Sequence, residues 1–166
     1  MSLDEALERL LAAAAHRTIT ECEEVPTLQA LRRVLAEEVR SNLDVPPADN
    51  SSMDGYAMRA ADVPVAGTVL PVSQRIPAGV VGASLAPGSG ARIFTGAPIP
   101  PGADAVVMQE QCAVVDGASV RVDAVPTAGQ WIRRRGEDIA AGSTVLTPGT
   151  LLTPQAMGLA ASVGRA

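Results

Sequence analysis

The chain has 166 residues, enough for one ordinary domain or two small lobes. Hydrophobic residues make up 47% of it but aromatic residues only 2%, so aliphatic side chains must fill the interior. The net charge of −5 argues against general nucleic-acid binding, and the apolar stretches are too short to indicate a membrane span. The two cysteines have neither metal-binding nor disulfide-framework spacing, which favours a cytoplasmic protein.

Two helices are predicted in the first 45 residues. Ser2 and Glu5 have capping-box spacing, and apolar residues recur at helical intervals, which predicts a helix over residues 3–16 that buries one apolar stripe. Thr27 is placed to cap a second helix, predicted to run to about Val39. Prolines follow shortly afterwards and end helical structure.

The residue pattern in the middle of the chain predicts β-strands. Short runs rich in Val and Ile, separated by Gly and Pro, extend from about residue 62 to residue 131. Asp116 and Gly117 lie between two such runs and predict a hairpin. We therefore expect a small β-lobe, with residues that turn tightly between short strands.

The last part returns to mixed structure. The segment STVLTPGTLL predicts two short strands around a Pro-Gly turn, and Thr153-Pro154 predicts the start of a final helix. The fold class is thus α+β and mainly β. Residues 1–45 and 134–166 are expected to form an elongated discontinuous lobe with the helices, and residues 46–133 an inserted, barrel-like β-lobe.

Three polar or Gly-rich connections are candidates for chemistry. In DNSSMDGYAMR, Asp54 follows Ser52 and precedes a glycine, so its carboxylate could meet a metal ion or a polar ligand. In RIFTGAPIPPGAD, Thr95 offers a hydroxyl and Gly96 permits close backbone approach to an anion. Ordinary turn chemistry explains both segments equally well when each is taken alone.

The third segment, WIRRRGEDI, concentrates positive charge in an acidic chain. Arg133 and Arg135 would share one face of a strand and could bind an oxyanion, with Glu137 and Asp138 orienting them or holding a cation. Surface ion pairing is the alternative. The sequence contains no phosphate-binding glycine motif and no histidine-based nucleophile arrangement.

Taken in order, the three segments, together with the final stretch GSTVLTPGTLLTPQAMGLAASVGRA, resemble the molybdopterin molybdenumtransferase family, which includes bacterial MoeA and the E domain of gephyrin. The resemblance covers the chain from about Val25 onward. It implies an enzyme that inserts molybdate into adenylated molybdopterin with release of AMP, in a Mg²⁺-dependent step. It also implies catalytic roles for Asp54, Thr95 and Asp138, with Asp54 as the tentative metal ligand.

The residue types agree with that chemistry. Ser52, Gly96, Arg133, Arg135 and Glu137 are expected to bind substrate, because phosphates and molybdate are anions. Carboxylates suit Mg²⁺, which prefers oxygen ligands.

The resemblance further implies that the sequence is the N-terminal part of the family's chain, without its α/β domain, and is inactive alone. It implies a homodimer with neither nucleic acid nor membrane as partner. A non-catalytic dimeric scaffold or protein-interaction module of the gephyrin type is the alternative function.

Overall fold

The computed structural model describes residues 1–15 and 19–165, and the chain forms two compact units. One comprises Met1–Glu38 and Leu146–Ala166, and the other comprises Val39–Val145. The predicted boundaries lay at 45/46 and 133/134. Within the second unit, Val45 pairs with Ile139 and the Asp44 carboxylate accepts a hydrogen bond from the Ala141 amide.

Two α-helices belong to the first unit. Helix α1 is Leu3–Ala15, and the predicted capping box is present: the Ser2 amide donates to Glu5 Oε2 at 2.8 Å, and the Glu5 amide donates to Ser2 Oγ at 3.2 Å. The predicted end at His16 lies outside the described residues. The expected buried stripe was wrong, because no residue of α1 is buried. Helix α2 is Pro154–Ser162, with Thr153 as the N-cap and proline in its first turn as predicted.

The predicted second helix was wrong. Only Thr27–Gln29 forms a helical turn, of the 3-10 type, and a turn at Leu31 and Arg32 follows it. The Arg32 amide donates to the Leu152 carbonyl and the Leu35 amide to the Thr150 carbonyl, and Arg32 has a φ of 65°. Pairing with the segment before α2 therefore replaces the internal hydrogen bonds that a helix would need.

The regular structure of the second unit is mainly β, with two short 3-10 helices, Ala60–Asp62 and Gln109–Gln111, between strands. The strands are β1 (Val39–Arg40), β2 (Asn50–Ser51), β3 (Gly55–Met58), β4 (Thr68–Ile76), β5 (Gly90–Ile93), β6 (Ala105–Met108), β7 (Cys112–Val114), β8 (Ser119–Val122), β9 (Ile132–Arg133) and β10 (Thr144–Leu146). Six of them form one curled sheet in the order β6-β3-β5-β4-β8-β7, in which only β4 and β5 are parallel. The pairs β1–β10 and β2–β9 form separate two-stranded sheets. The predicted hairpin at Asp116-Gly117 joins β7 to β8.

Strand β3 is the element that the sequence did not indicate. All four of its residues are buried, and it pairs on both sides, with β5 and with β6. Tyr56 and Met58 pack with Leu70 and Val107 on one face, whereas Ala57 packs with other aliphatic residues on the opposite face. The segment that follows Asp54 is thus a rigid central strand, and it fixes the position of that carboxylate.

Neither α-helix within residues 1–15 and 19–165 is long and apolar enough to cross a membrane. Cys22 and Cys112 are free thiols. Burial, aided by the nearby Asp123 carboxylate, raises the pKa of the Cys112 thiol to about 11, so it is protonated at neutral pH.

Candidate functional site

The three candidate segments meet on the short strand β2. Ser51 exchanges backbone hydrogen bonds with the second segment: its amide donates to the Ala97 carbonyl at 2.9 Å, and its carbonyl accepts from the Gly96 amide at 2.8 Å. Ser51 also lies opposite Ile132 of β9, in the third segment. One short strand therefore holds loops that are far apart in the sequence.

Asp54 and Thr95 form a direct side-chain pair. Asp54 Oδ1 accepts from both the Thr95 amide and the Thr95 hydroxyl, each at 2.8 Å. These two hydrogen bonds, the amide's first, lower the pKa of the Asp54 carboxyl below 3.8, and the charge of Arg92 adds to the effect. Asp54 is therefore an oriented, ionised carboxylate at neutral pH.

Arg92 is a residue at this site that sequence reasoning missed. Its guanidinium donates to the Gly55 carbonyl at 2.8 Å and to Gln109 Oε1 at 2.5 Å, and it lies over the Tyr56 ring at 5.2 Å. It stands next to Ile93 in a strand-like run, where nothing in the sequence distinguishes it from a solvent-facing charge. Only the register of β5 against β3, which sets Arg92 opposite Tyr56, reveals its place.

All three consecutive arginines have acidic partners. Arg133 is hydrogen-bonded to Asp138 and lies 3.9 Å from Glu137, which raises the pKa of its guanidinium further. Arg134 donates to Asp49 at 2.6 Å and Arg135 donates to Asp44 at 2.6 Å. The ion pairing foreseen as the alternative interpretation is present.

The partner aspartates also accept backbone hydrogen bonds. The Arg135 amide and the Arg134 side chain lower the pKa of Asp49, and the Ala141 amide and the Arg135 side chain lower that of Asp44. These contacts clamp the loop after β9 against the segment before β2. The third candidate segment is thus a rigid turn, in which Glu137 Oε2 accepts from the Arg134 amide at 2.8 Å.

The remaining predicted residues occupy turns around β2. The Ser52 amide donates to the Trp131 carbonyl, and Gly96, with a φ of 80°, sits in an exposed turn where a Cβ would meet no atom within 4 Å. Among the described residues, no hydrogen bond or ion pair links the Asp54–Thr95 pair to the Arg133–Asp138 pair. The backbones converge, whereas the side chains form two separate pairs.

The described residues cannot enclose a metal ion by themselves. Within residues 1–15 and 19–165, no group of three or more His, Cys, Asp or Glu side chains could hold one. A Mg²⁺ ion often needs only one or two protein carboxylates, with the substrate's phosphates and water completing its shell. Asp54 fits that lesser role, because it is ionised and already oriented.

Comparison with known proteins places the chain in a family. Residues 1–164 match the family described as the MoeA N-terminal region, domains I and II. The chain belongs to the MoeA N-terminal family.

Several relatives of this MoeA region are longer proteins named molybdopterin molybdenumtransferase. The chain is 47% identical over 148 residues to molybdopterin molybdenumtransferase 2 of Mycobacterium tuberculosis, covering 86% of this chain and 36% of that protein. It is 41% identical to the molybdopterin molybdenumtransferase of Synechococcus elongatus, covering 99% of this chain and 42% of that protein. The chain therefore spans about two fifths of the length of these relatives.

The fold agrees with a solved MoeA structure. The crystal structure of the molybdopterin biosynthesis moeA protein from Pyrococcus horikoshii OT3 matches with a TM-score of 0.82 and 37% identity, over 89% of this chain and 40% of that chain. The mainly β architecture with two helices is thus a property of the MoeA N-terminal region, and the predicted fold class is confirmed.

Proposed function

We propose that the protein to which this region belongs is a molybdopterin molybdenumtransferase, which inserts molybdate into adenylated molybdopterin and releases AMP. The convergence of the three loops on β2 is the observation that carries the proposal, since it joins the backbones of the segments that contain Asp54, Thr95 and Arg133. The names of the relatives support the substrate class. This region would supply one wall of the active site.

Each candidate residue has a role in this proposal. Asp54 provides the carboxylate for Mg²⁺, and Thr95 orients Asp54 through its amide and hydroxyl. Asp138 holds Arg133, whose guanidinium faces the anionic substrate. Bound Mg²⁺ would neutralise charge on the phosphoanhydride.

The remaining substrate contacts are proposed to come from residues in the turns around β2. Ser52 offers its hydroxyl, Gly96 leaves room for substrate to approach the backbone, and Glu137 and Arg135 flank the third loop. Arg133 and Arg135 would each have to share or exchange an acidic partner, Asp138 and Asp44 respectively, in order to contact substrate.

Substitution of Asp54 tests the catalytic assignment. In the full-length protein, Asp54→Asn retains an oxygen that can accept from Thr95 but removes the charge, so molybdate-dependent AMP release should fall by about a hundredfold or more. Asp116→Asn, in the β7–β8 turn of the same unit, is the matched control and should retain activity. Equal rates for wild type and Asp54→Asn would remove Asp54 from the mechanism.

We also propose that the protein is a cytoplasmic homodimer, with residues 1–45 and 134–166 forming the dimerisation lobe and residues 46–133 carrying the active-site loops. The exposed leucines of α1 support an association surface: Leu3, Leu7, Leu10 and Leu11 are 53–85% exposed. The same surface would serve a non-catalytic scaffold.

Sedimentation of the full-length protein tests this association. The wild type should be a dimer, and Leu7→Ser with Leu11→Ser should dissociate more readily, because polar side chains remove buried apolar area. Glu8→Gln, which leaves the leucines in place, is the control. A monomer at every concentration would refute the homodimer. The Asp54 prediction is tested separately, by the AMP-release assay.

A further inference from the structure

A cavity opens beside the curled sheet and shares Arg92 with the surroundings of Asp54. It has a volume of about 420 Å³ and lies between β3, β4, β5 and the β7–β8 hairpin. Six residues of its lining carry the argument: Tyr56, Ser73, Arg75, Arg92, Gly117 and Ser119. None of the roles assigned above uses this space.

The cavity holds two positive charges without a carboxylate partner. Among the described residues, neither Arg75 nor Arg92 forms an ion pair, although the arginines of the loop after β9 all do. Arg92 is fixed by the Gly55 and Ile93 carbonyls and by Gln109. Its hydrogen bonds are to neutral groups, so its charge remains available to a ligand.

The two arginines are neighbours on adjacent strands. Arg75 of β4 is the register partner of Arg92 on the parallel strand β5, so their side chains leave the same face of the sheet side by side. The central carbon of each guanidinium group also lies 4.5 Å from the centroid of the Phe94 ring. A tetrahedral oxyanion can accept charge-assisted hydrogen bonds of about 2.7–2.9 Å from two neighbouring guanidinium groups.

Three hydroxyl groups also line the cavity. The Tyr56 hydroxyl has no hydrogen-bond partner among the described residues, and Tyr56 lies directly against Arg92. Ser73 donates its hydroxyl to the Gly90 carbonyl, and Ser119 donates to Asp116, so these two serines are already engaged. The Asp116 carboxylate accepts a hydrogen bond from the Ala118 amide, which fixes it to the hairpin. It supplies one negative charge, whereas the two guanidinium groups supply two positive charges.

We propose that this cavity binds a tetrahedral oxyanion between Arg75 and Arg92, with the Tyr56 hydroxyl as a further donor. The shared chemistry is a phosphate-like dianion, present either as the free inorganic ion or as the phosphate of a monoester. Stacking on Phe94 orders both guanidinium groups in advance, which reduces the conformational entropy lost on binding. The site goes beyond the proposed molybdenum transfer and does not depend on it.

Calorimetric titration of the full-length protein tests the site, with inorganic phosphate and phenyl phosphate as separate probes at constant ionic strength, since neither is a substrate or product of the proposed reaction. Arg75→Gln should weaken binding of phosphate by about tenfold, since one of two charge-assisted contacts is lost. Arg75 is exposed, so the variant should fold, which circular dichroism checks. Arg121→Gln is the charge-matched control, because Arg121 lies on β8, is partly exposed and pairs with Asp123. This variant should bind like the wild type.

The outcomes separate the two sources of the ligand. Equal dependence on Arg75 for both probes supports a site for the phosphate group itself, tighter binding of phenyl phosphate supports a monoester, and binding of inorganic phosphate alone supports the free ion. The proposal is overturned if the wild type shows no saturable binding at millimolar phosphate, or if Arg75→Gln changes the affinity by less than about threefold. It is equally overturned if Arg75→Gln and Arg121→Gln weaken binding to the same extent, because general charge would then account for it.

Discussion

At position 55, a side chain of any size would collide with the neighbouring strand. A Cβ placed on Gly55 would lie 2.0 Å from the Val107 carbonyl oxygen and 2.9 Å from its carbonyl carbon. Gly55 pairs with both β5 and β6, so the backbone cannot move aside without breaking a ladder. The glycine beside Asp54 is therefore needed for close strand packing, in addition to any role in turning the chain.

We predict that Gly55→Ala destabilises the chain by about 3 kcal/mol, since overpacking against backbone must displace a strand. Chemical denaturation followed by tryptophan fluorescence measures it. Gly67→Ala is the matched control: its φ of 86° is strained for alanine, but nothing lies within 4 Å, so the loss should be only about 1–2 kcal/mol. Equal losses in the two variants would mean that β3 tolerates the added methyl group.

The candidate residues could be found from the sequence, but their partners could not. Asp54 and Thr95 were singled out separately, as a turn acid and a loop hydroxyl, and their hydrogen bonds span 41 positions. The partners of Arg134 and Arg135 lie 85 and 91 positions away in the sequence. Local patterns carry no information about such pairs, because strand register determines them.

At the level of elements, the sequence predicted those structures whose signals are local. The capping box before α1, the Thr-Pro start of α2 and the Asp-Gly hairpin each depend on side chains within a few positions. The predicted helix after Thr27 failed because its helical periodicity was overridden by pairing with the segment around Leu151. Strand β3 was missed because four consecutive buried residues show no alternation of polar and apolar positions.

The N-cap of α2 offers a test at this scale. Thr153 Oγ1 accepts a hydrogen bond from the Ala156 amide at 3.3 Å, so Thr153→Ala should lower the free energy of unfolding of the helical unit by about 1 kcal/mol. Far-UV circular dichroism follows this unit, since both described α-helices belong to it. Thr153→Ser keeps a hydroxyl and should lose much less. A Thr153→Ala variant as stable as Thr153→Ser would show that the cap hydrogen bond contributes nothing.

Over the whole molecule, ionised aspartates tie distant segments together. Asp44 accepts from Ala141 and Arg135, Asp49 accepts from the Arg135 amide and Arg134, and Asp54 accepts from Thr95. The pKa values of all three lie below 3.8 in the folded chain. The same direction holds for three further carboxyl groups: Asp62, Asp116 and Asp123.

The chain should therefore lose stability in acid. Near and below pH 3.8 the unfolded chain binds more protons than the folded chain, so the contribution of these aspartates is complete above that pH and is lost as the pH falls through the lower folded values. We predict that the contribution of these aspartates to the free energy of unfolding is unchanged between about pH 7 and 5. The free energy of unfolding should decrease below about pH 4. Urea denaturation at a series of pH values measures this profile.

A single aspartate can be isolated from that profile. Asp44→Asn removes the charge that draws the Arg135 side chain and the Ala141 amide to one point, so the variant should be less stable at pH 7 and should lose less stability on going to about pH 3. Glu24→Gln, at an exposed position in the other unit, is the control and should keep the wild-type slope. If Asp44→Asn and wild type lost the same free energy over that range, the clamp at Asp44 would not be part of the acid response.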